Sequence, residues 1–486
     1  MDLNRKKSFT VVSLIVLFTA SLNGGCQWVT QGRQQKDPKP VAQAPVVVDG
    51  TRTSYADIVE KTSPAVVQIT ADLDTKKASR EDGGFGGLPF PMEEGPRIGA
   101  GSGVIVSADG TILTNHHVIE NARKITVETS ENKTYEATVV GSDAPSDLAV
   151  IKIKGDAFPF LKLGDSDAVR VGDIVLAIGN PLGIGKTVTA GIISAKGRRT
   201  GLGDGAYQDF LQTDAPINQG NSGGALVSVG GELVGINSQI LSNGGGGGSI
   251  GIGFAIPSNM AKVVMEQLIK DGKVRRGILG VNIQEVTTDI AEQFGVEAGG
   301  GAIVSNVREG SAAEKAGLKR GDIITEIDGK NVEDGNFLRN RVASTAPGTK
   351  VELTIIRDKK TQKVSVTLDE LTDEVANAGS APTENGEEKE PQNDSKLGVS
   401  VQPVTPDLAA RYKIPASVKG LVITEMDRNG AAARSGVQPG DVIMEVNRIP
   451  VESTDDMRSA LGKAGNGAVV LLINRAGTTV YVSIRQ

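Results

Sequence analysis

The chain holds two histidines, His116 and His117, side by side in Thr114-Asn115-His116-His117-Val118, so any imidazole chemistry must use one of them. A serine stands between glycines in Gly220-Asn221-Ser222-Gly223-Gly224. Serine attack on a carbonyl needs an exposed hydroxyl and backbone N–H groups aimed at the developing oxyanion, and flanking glycines permit the tight backbone that aims them. A base must accept the serine proton, and a carboxylate must hold the imidazole in the right tautomer. Ser146-Asp147-Leu148-Ala149-Val150 places an acid at the mouth of an apolar stretch. Asp143 and Asp214 are rival acids with plain readings as turn or salt-bridge residues. Neighbouring residues on an extended segment face opposite ways, so the two histidines are expected to part, one towards the site and one away. Together these residues point to acyl transfer by an activated serine. Gly183-Ile184-Gly185-Lys186-Thr187 ends like a phosphate-binding loop, but the required earlier glycine is replaced by Asn180, and nucleotide binding is set aside.

These residues need a framework of several domains. At roughly 150 residues per domain, 486 residues make about three. Lys and Arg number 52 against 58 Asp and Glu, a net charge of −6, which disfavours a nucleic-acid binder. Glycine is abundant (62) without a triplet period, as in turn-rich β structure, and aromatics are only 3%. A single cysteine excludes an intrachain disulfide and a cysteine-rich metal site. The chemistry asks for neither cofactor nor metal.

Arg5, Lys6 and Lys7 precede an apolar run from Phe9 to Leu22, the layout of an export signal over residues 1–26. Cys26 follows Leu22-Asn23-Gly24-Gly25, which resembles a bacterial lipoprotein cleavage site, except that Asn23 stands where leucine is usual. Lipid attachment at Cys26 and simple cleavage with release both stay open. Residues 27–53, polar with Pro38, Pro40 and Pro45, read as a tether.

From Tyr55 short apolar runs such as Ala65–Ile69, Thr111–Leu113, Ile174–Ile178 and Leu233–Ile236 alternate with Gly, Asn and Asp, suggesting a mainly β domain of barrels or a sandwich. After Pro257 the spacing of Met260, Val263, Val264 and Leu268 predicts a helix capped by Ser258 or Asn259, closing a domain over 54–270. The rest contains a repeat. Ala312–Asp328 returns as Ala431–Asn447 (431 − 312 = 119), Gly280 as Gly398 (398 − 280 = 118), and Arg357 as Arg475 (475 − 357 = 118). Two α+β copies follow, 277–371 and 396–486, with a flexible linker over 372–395. The long linker suggests a loosely coupled second copy. A Gly-, Pro- and acid-rich segment between Asp72 and Gly101 reads as a long loop.

Thr-Asn-x-His-Val, Ser-Asp-Leu-Ala-Val and Gly-Asn-Ser-Gly-Gly, in that order, resemble the Do-like (HtrA/Deg) serine proteases, and the two repeats are similar to PDZ domains. The resemblance runs from about Tyr55 to Gln486. It implies a pair of chymotrypsin-like β-barrels followed by two PDZ-like domains. By the family motif His117, which directly precedes Val118, is the base, Asp147 orients it and Ser222 attacks, with the N–H groups of Gly220 and Ser222 as oxyanion hole. Walls of the substrate pocket are expected from Ala215, Pro216 and Ile217 and from the segment Asn237–Ile252, with Asn237 and Ser238 as its first candidates and no acidic floor, so a small or medium apolar residue before the cut is favoured. A PDZ domain adds a bound peptide as an extra strand and captures its C-terminal carboxylate on backbone N–H groups; Leu279-Gly280-Val281 and Leu397-Gly398-Val399 are the candidates. The implied protein is an exported, ATP-independent endopeptidase of the periplasm or cell envelope, acting on unfolded or misfolded proteins and binding no nucleic acid. Homotrimers or multiples of trimers are implied with it. The rival reading is a PDZ-based binding protein or chaperone on a resting protease scaffold.

Overall fold

Runs of aliphatic and β-branched residues, broken by turn-forming Gly, Asn and Asp, fold into two closed six-stranded antiparallel barrels. A computed structural model describes residues 47–48, 51–73, 98–180, 185–200, 207–218, 220–240, 249–372, 397–463 and 467–485. The export signal with Cys26, nearly all of the tether, most of the Asp72–Gly101 segment and almost the whole 372–395 linker lie outside the described residues. The first barrel closes in the order Val66–Leu73, Ile98–Ser107, Thr111–Thr114, Leu148–Ile153, Thr134–Asp143, Ala122–Glu128. The second closes in the order Thr187–Arg198, Phe210–Thr213, Gly253–Pro257, Leu233–Ile240, Ala225–Ser228, Ile174–Gly179. Alternate residues such as Ile69, Ile112 and Ile151 fill one interior, and Val175, Ile193 and Leu226 the other.

Helix Ser258–Asp271 buries Ala261, Val264 and Leu268 and packs against strands of both barrels. Its cap differs from expectation. Pro257 is the capping residue without a side-chain bond, while the Ser258 hydroxyl donates to Gly164 O (2.7 Å) and Asn259 Nδ2 to Asp165 Oδ1 (2.7 Å). Both side chains tie the helix to the second barrel instead of closing its own first turn.

Each repeat forms a five-strand path with one further short pair. The first runs Val281–Glu285, Ala302–Val307, Ile323–Ile327, Lys350–Arg357, Lys360–Thr367. The second runs Val399–Pro403, Leu421–Met426, Val442–Val446, Val469–Arg475, Thr478–Ile484. The sequence repeat reappears as a repeated ion pair. Arg357 grips Asp322 with two bonds of 2.6 Å, and Arg475 grips Asp441 with two of 2.7 Å. A buried carboxylate of this kind needs such a two-pronged partner.

The two repeats are docked, not loose. Val286, Ile290, Phe294, Ile303 and Ile323 of the first share one buried cluster with Val470, Leu472 and Tyr481 of the second. Phe294 and Tyr481 meet edge to face at 5.6 Å, and Arg448 lies 4.9 Å over the Phe294 ring. Arg320 pairs with Glu445 and Arg448 with Asp358, each at 2.7 Å. Linker length is therefore a poor guide to coupling here, because an apolar face of each copy is left to bury against the other.

The first repeat also meets the protease part. Asn336 and Asn340, on helix Gly335–Ser344, donate to Gln208 O at 2.9 and 2.8 Å. The next residue, Asp209, is half-buried near Asp167 and Asp334, and desolvation first, then these acids, pushes its carboxyl up to about 6. A carboxyl raised above its ordinary 3.8 binds its proton more tightly in the docked state. The stabilisation is present below the ordinary value and is lost as pH rises through about 6. Hydrogen exchange of residues 207–213, corrected for intrinsic rates, should be slower at pH 5 than at pH 7.5, and slow at both in Asp209→Asn. Equal protection of the parent at the two pH values would refute the assignment.

Candidate active site

The site is assembled at the seam of the two barrels. His117 follows the first-barrel strand Thr111–Thr114 and sits in one helical turn, His116–Ile119, not the extended segment expected. The two imidazoles still diverge. His117 Nδ1 lies 2.9 Å from both Asp147 carboxylate oxygens, and its backbone N–H donates to Asp147 Oδ1 at 3.1 Å. His116 points its Nε2 to Glu120 Oε1 at 3.9 Å. A bond from Nδ1 to a carboxylate leaves Nε2 of His117 as the proton-accepting atom. His117 remains 46% exposed, so that atom is open to the cleft.

Asp147 has a left-handed backbone (φ 54°), a costly conformation for a residue with a Cβ. The turn before it is held from outside. Asp143 accepts from Ser146 N and from the Ser146 hydroxyl, and receives both prongs of Arg276 at 2.9 and 2.5 Å. Arg276, at the entrance to the first repeat, is itself buried and stacks 4.6 Å over the Tyr207 ring. Asp143 is thus a salt-bridge residue, and Arg276 is committed to it and not to a peptide carboxylate. Asp214 accepts from Ile192 N at 2.7 Å, away from the histidines.

Ser222 comes from the second barrel, in the turn before strand Ala225–Ser228. Its hydroxyl donates to Ser238 O at 2.9 Å, so the link to His117 Nε2 is open in this arrangement. Ser238 in turn donates its hydroxyl to Asp147 Oδ2 at 2.8 Å. Asn221 N–H is taken by Asn218 O (3.0 Å), whereas the N–H groups of Gly220 and Ser222 have no acceptor among the described residues. Two free amides flanking a used one are what an anion-binding turn requires.

The seam itself rests on a residue that sequence reading missed. Ser102, fully buried on strand Ile98–Ser107, donates its hydroxyl to Gly220 O (2.6 Å) and accepts from Asn180 N (2.8 Å), while its own N–H donates to Ser222 O (2.8 Å). Gly223 has φ 81°, and a Cβ there would lie 2.1 Å from Ser102 O and 2.4 Å from Thr114 Oγ1. Glycine is required because the other barrel's backbone occupies the space. The glycines around Ser102 in Gly99–Gly103 are the only sequence trace of this approach.

Of the expected pocket residues, Asn237 and Ser238 are buried against the serine turn, Asn237 donating to Ala225 O at 3.0 Å. Ala215 and Ile217 fill the second-barrel core, leaving Pro216 exposed. The buried pair backs the site instead of lining it, because the loop after strand Phe210–Thr213 turns both side chains into that core. Residues 241–248 lie outside the described residues. In the repeats Leu279 and Leu397 are buried in their cores, and Gly280 (φ 78°) and Gly398 (φ 74°) make the left-handed turn that follows. These triplets therefore offer backbone, not side chains, to a ligand.

Comparison with known proteins agrees with this geometry. Residues 101–236 match a trypsin-like peptidase domain, and 277–368 and 388–474 each match a PDZ domain. The chain is 40% identical over 442 residues to the periplasmic pH-dependent serine endoprotease DegQ of Escherichia coli, covering 89% of this chain and 91% of that protein. The chain belongs to the DegP/DegQ family of HtrA-type serine endoproteases. It is also 42% identical over 386 residues to a probable periplasmic serine endoprotease, DegP-like, of Chlamydia trachomatis, covering 79% of this chain and 74% of that one. The solved structure of the HtrA-type protease AlgW with a tripeptide superposes with a TM-score of 0.54 at 42% identity, over 66% of this chain and 98% of AlgW. The protein is a serine endopeptidase of mainly β fold, with two PDZ domains behind its protease barrels.

Ser102→Ala would leave Gly220 O and Asn180 N–H without partners in a buried place, a cost of about 1–3 kcal/mol. Turnover should fall roughly tenfold or more, with KM little changed and the fold intact by circular dichroism. Unchanged turnover would mean that the seam does not hold the serine turn.

Proposed function

We propose that the chain cleaves unfolded or misfolded polypeptides in the periplasm, with Ser222 as nucleophile, His117 as base and then acid, and Asp147 as the group that orients the imidazole. The observation that carries this reading is the His117 Nδ1–Asp147 pair at 2.9 Å beside a serine turn with two free amides. In the proposed cycle Ser222 Oγ leaves Ser238 O, gives its proton to His117 Nε2 and attacks the scissile carbonyl. The oxyanion is received by the N–H groups of Gly220 and Ser222. The imidazolium, steadied by Asp147, then protonates the leaving amine, and water repeats the sequence to free the acid product. No carboxylate stands among Ala215, Pro216, Ile217, Asn237 and Ser238, which favours a small or medium apolar residue before the cut.

The bond from Ser222 to Ser238 O favours a resting form that ligand binding must convert, and the first PDZ domain is proposed to take that ligand as a peptide C-terminus at Leu279-Gly280-Val281. Because Arg276 reaches from the start of this domain to the turn carrying Asp147, docking of the domain and alignment of the acid share one buried contact. The second domain is proposed to recruit peptides at Leu397-Gly398-Val399. Trimers or their multiples are proposed on family likeness, to be checked by light scattering. Lipid attachment at Cys26 is the proposed anchor, on the likeness of Leu22-Asn23-Gly24-Gly25-Cys26 to a lipoprotein cleavage site.

Incubation with a permanently unfolded protein tests the chemistry. Ser222→Ala and His117→Ala should each lower cleavage by more than about 10³-fold. His116→Ala should stay within about tenfold, since its ring turns to Glu120. Equal loss in both histidine variants, with folding preserved, would sink the role of His117. For the anchor, Cys26→Ala should move the protein from the membrane to the soluble fraction, and a soluble parent would exclude it.

A further inference from the structure

We propose that the first PDZ domain's peptide groove is a two-domain site, in which Thr478–Val480 of the second domain form the outer wall and contact the peptide side chains that point away from the groove. The proposal rests on the reading that strand Val281–Glu285 takes a peptide C-terminus. That strand is the edge of its sheet, paired with Ala302–Val307 on one side only. Beside it lies a cavity of about 400 Å³ bounded by Leu338, Val342 and Ala343 of helix Gly335–Ser344. Thr478–Val480 of the second domain border the same cavity.

The pleat decides which side each wall serves. Ile283 pairs across with Val304, on the face that packs beneath the helix, whereas Gln284 pairs with Ile303, on the face that packs against the second domain. A strand added at this edge continues the alternation, so its successive side chains point to the helix and to the second domain in turn. The second domain's position along the edge is fixed. Gln284 accepts from Tyr481 N at 2.7 Å and donates to Tyr481 O at 3.2 Å, as a neighbouring strand would. Ser483 and Arg485 bind Asp289 beyond it. From that anchor, Val480, Thr479 and Thr478 run back towards the Leu279–Val281 end, where the carboxylate would sit.

The second-domain wall is uncharged, and the charge bordering the cavity comes from Arg339 on the helix side. Thr479 is buried on the face that carries Tyr481, Val480 is half-buried and turned to its own domain's core so that it offers backbone, and Thr478 is exposed at the rim. It suits small or β-branched uncharged side chains at the residue before the last, while the last residue enters the apolar side under the helix. The open edge of the first domain thus reads both faces of a peptide.

The test uses the full chain carrying Ser222→Ala, so that peptide survives, and six-residue peptides with a free C-terminus and an apolar last residue. A photoreactive benzoylphenylalanine at the last position should crosslink to 335–344, and at the position before it to 478–480. Thr478→Glu and Thr478→Lys should shift the preference between peptides bearing Lys or Glu at that position about fivefold in opposite directions, as an exposed charge pair does. Crosslinks to 335–344 alone, with the preference unmoved in both variants, would overturn the wall and leave the groove reading intact. Crosslinks confined to Val399–Pro403 and Thr454–Lys463, or none, would overturn the groove reading and the wall with it.

Discussion

The proposed active arrangement depends on two barrels approaching closely enough for the His117–Asp147 pair of one to face Ser222 of the other. That approach is set by backbone contact, not by side-chain filling. Ser102 N–H on Ser222 O, Ser102 Oγ on Gly220 O and Asn180 N–H on Ser102 Oγ link the two barrels. Gly223 is the counterpart of that contact, because any side chain there would collide with the other barrel's main chain. A loose seam would leave His117, Asp147 and Ser222 each well placed on its own element and useless together.

A second constraint sits where the protease meets the first repeat. Asp143 and Arg276 are both buried, and a desolvated carboxylate without its guanidinium would be strongly unfavourable. The pair therefore makes the turn carrying Asp147 sensitive to where the first repeat lies. Asn336 and Asn340 on Gln208 O add a neutral contact to the same region, and Asp209 adds a charge that burial disfavours. Attraction at Arg276 and strain at Asp209 act on one short stretch of surface, so modest free energies can shift its position.

Much of this was legible in the residues. Short apolar runs broken by Gly, Asn and Asp give the strands, as Ala65–Ile69 and Ile174–Ile178 do for Val66–Leu73 and Ile174–Gly179. The candidate triad stood out because two adjacent histidines leave little choice and the serine turn carries its glycines, and the structure brings His117 Nδ1 within 2.9 Å of Asp147. What was not legible depends on tertiary contact. Ser102 has no pattern of its own, and its value comes from three partners distant in sequence. Ala215 and Ile217 read as pocket walls, but the loop that carries them turns both side chains into the second-barrel core. The histidine turn was misread as extended because a single helical turn is too short to show a period. The packing of the repeats against each other was hidden behind a polar linker whose length says nothing about the faces at its ends.

The two repeats show how one ancestral plan can serve different ends. Both keep the arginine–aspartate fork and the left-handed glycine, because these hold the fold of each copy. Their outer faces have parted. The second covers Val422 and Val442 with its own Ile414 and partly buried Leu408 and Tyr412, a small self-contained patch. The first leaves Ile303 and Ile323 to be finished by Val470, Leu472 and Tyr481 of its neighbour. An apolar face that needs a neighbour fixes that neighbour's position, and the strand that brings Tyr481 brings Thr478–Val480 to the groove as a geometric consequence. Burial of the shared face is thus what places one copy's last strand within reach of the other copy's ligand, without any residue having to be altered for that contact alone.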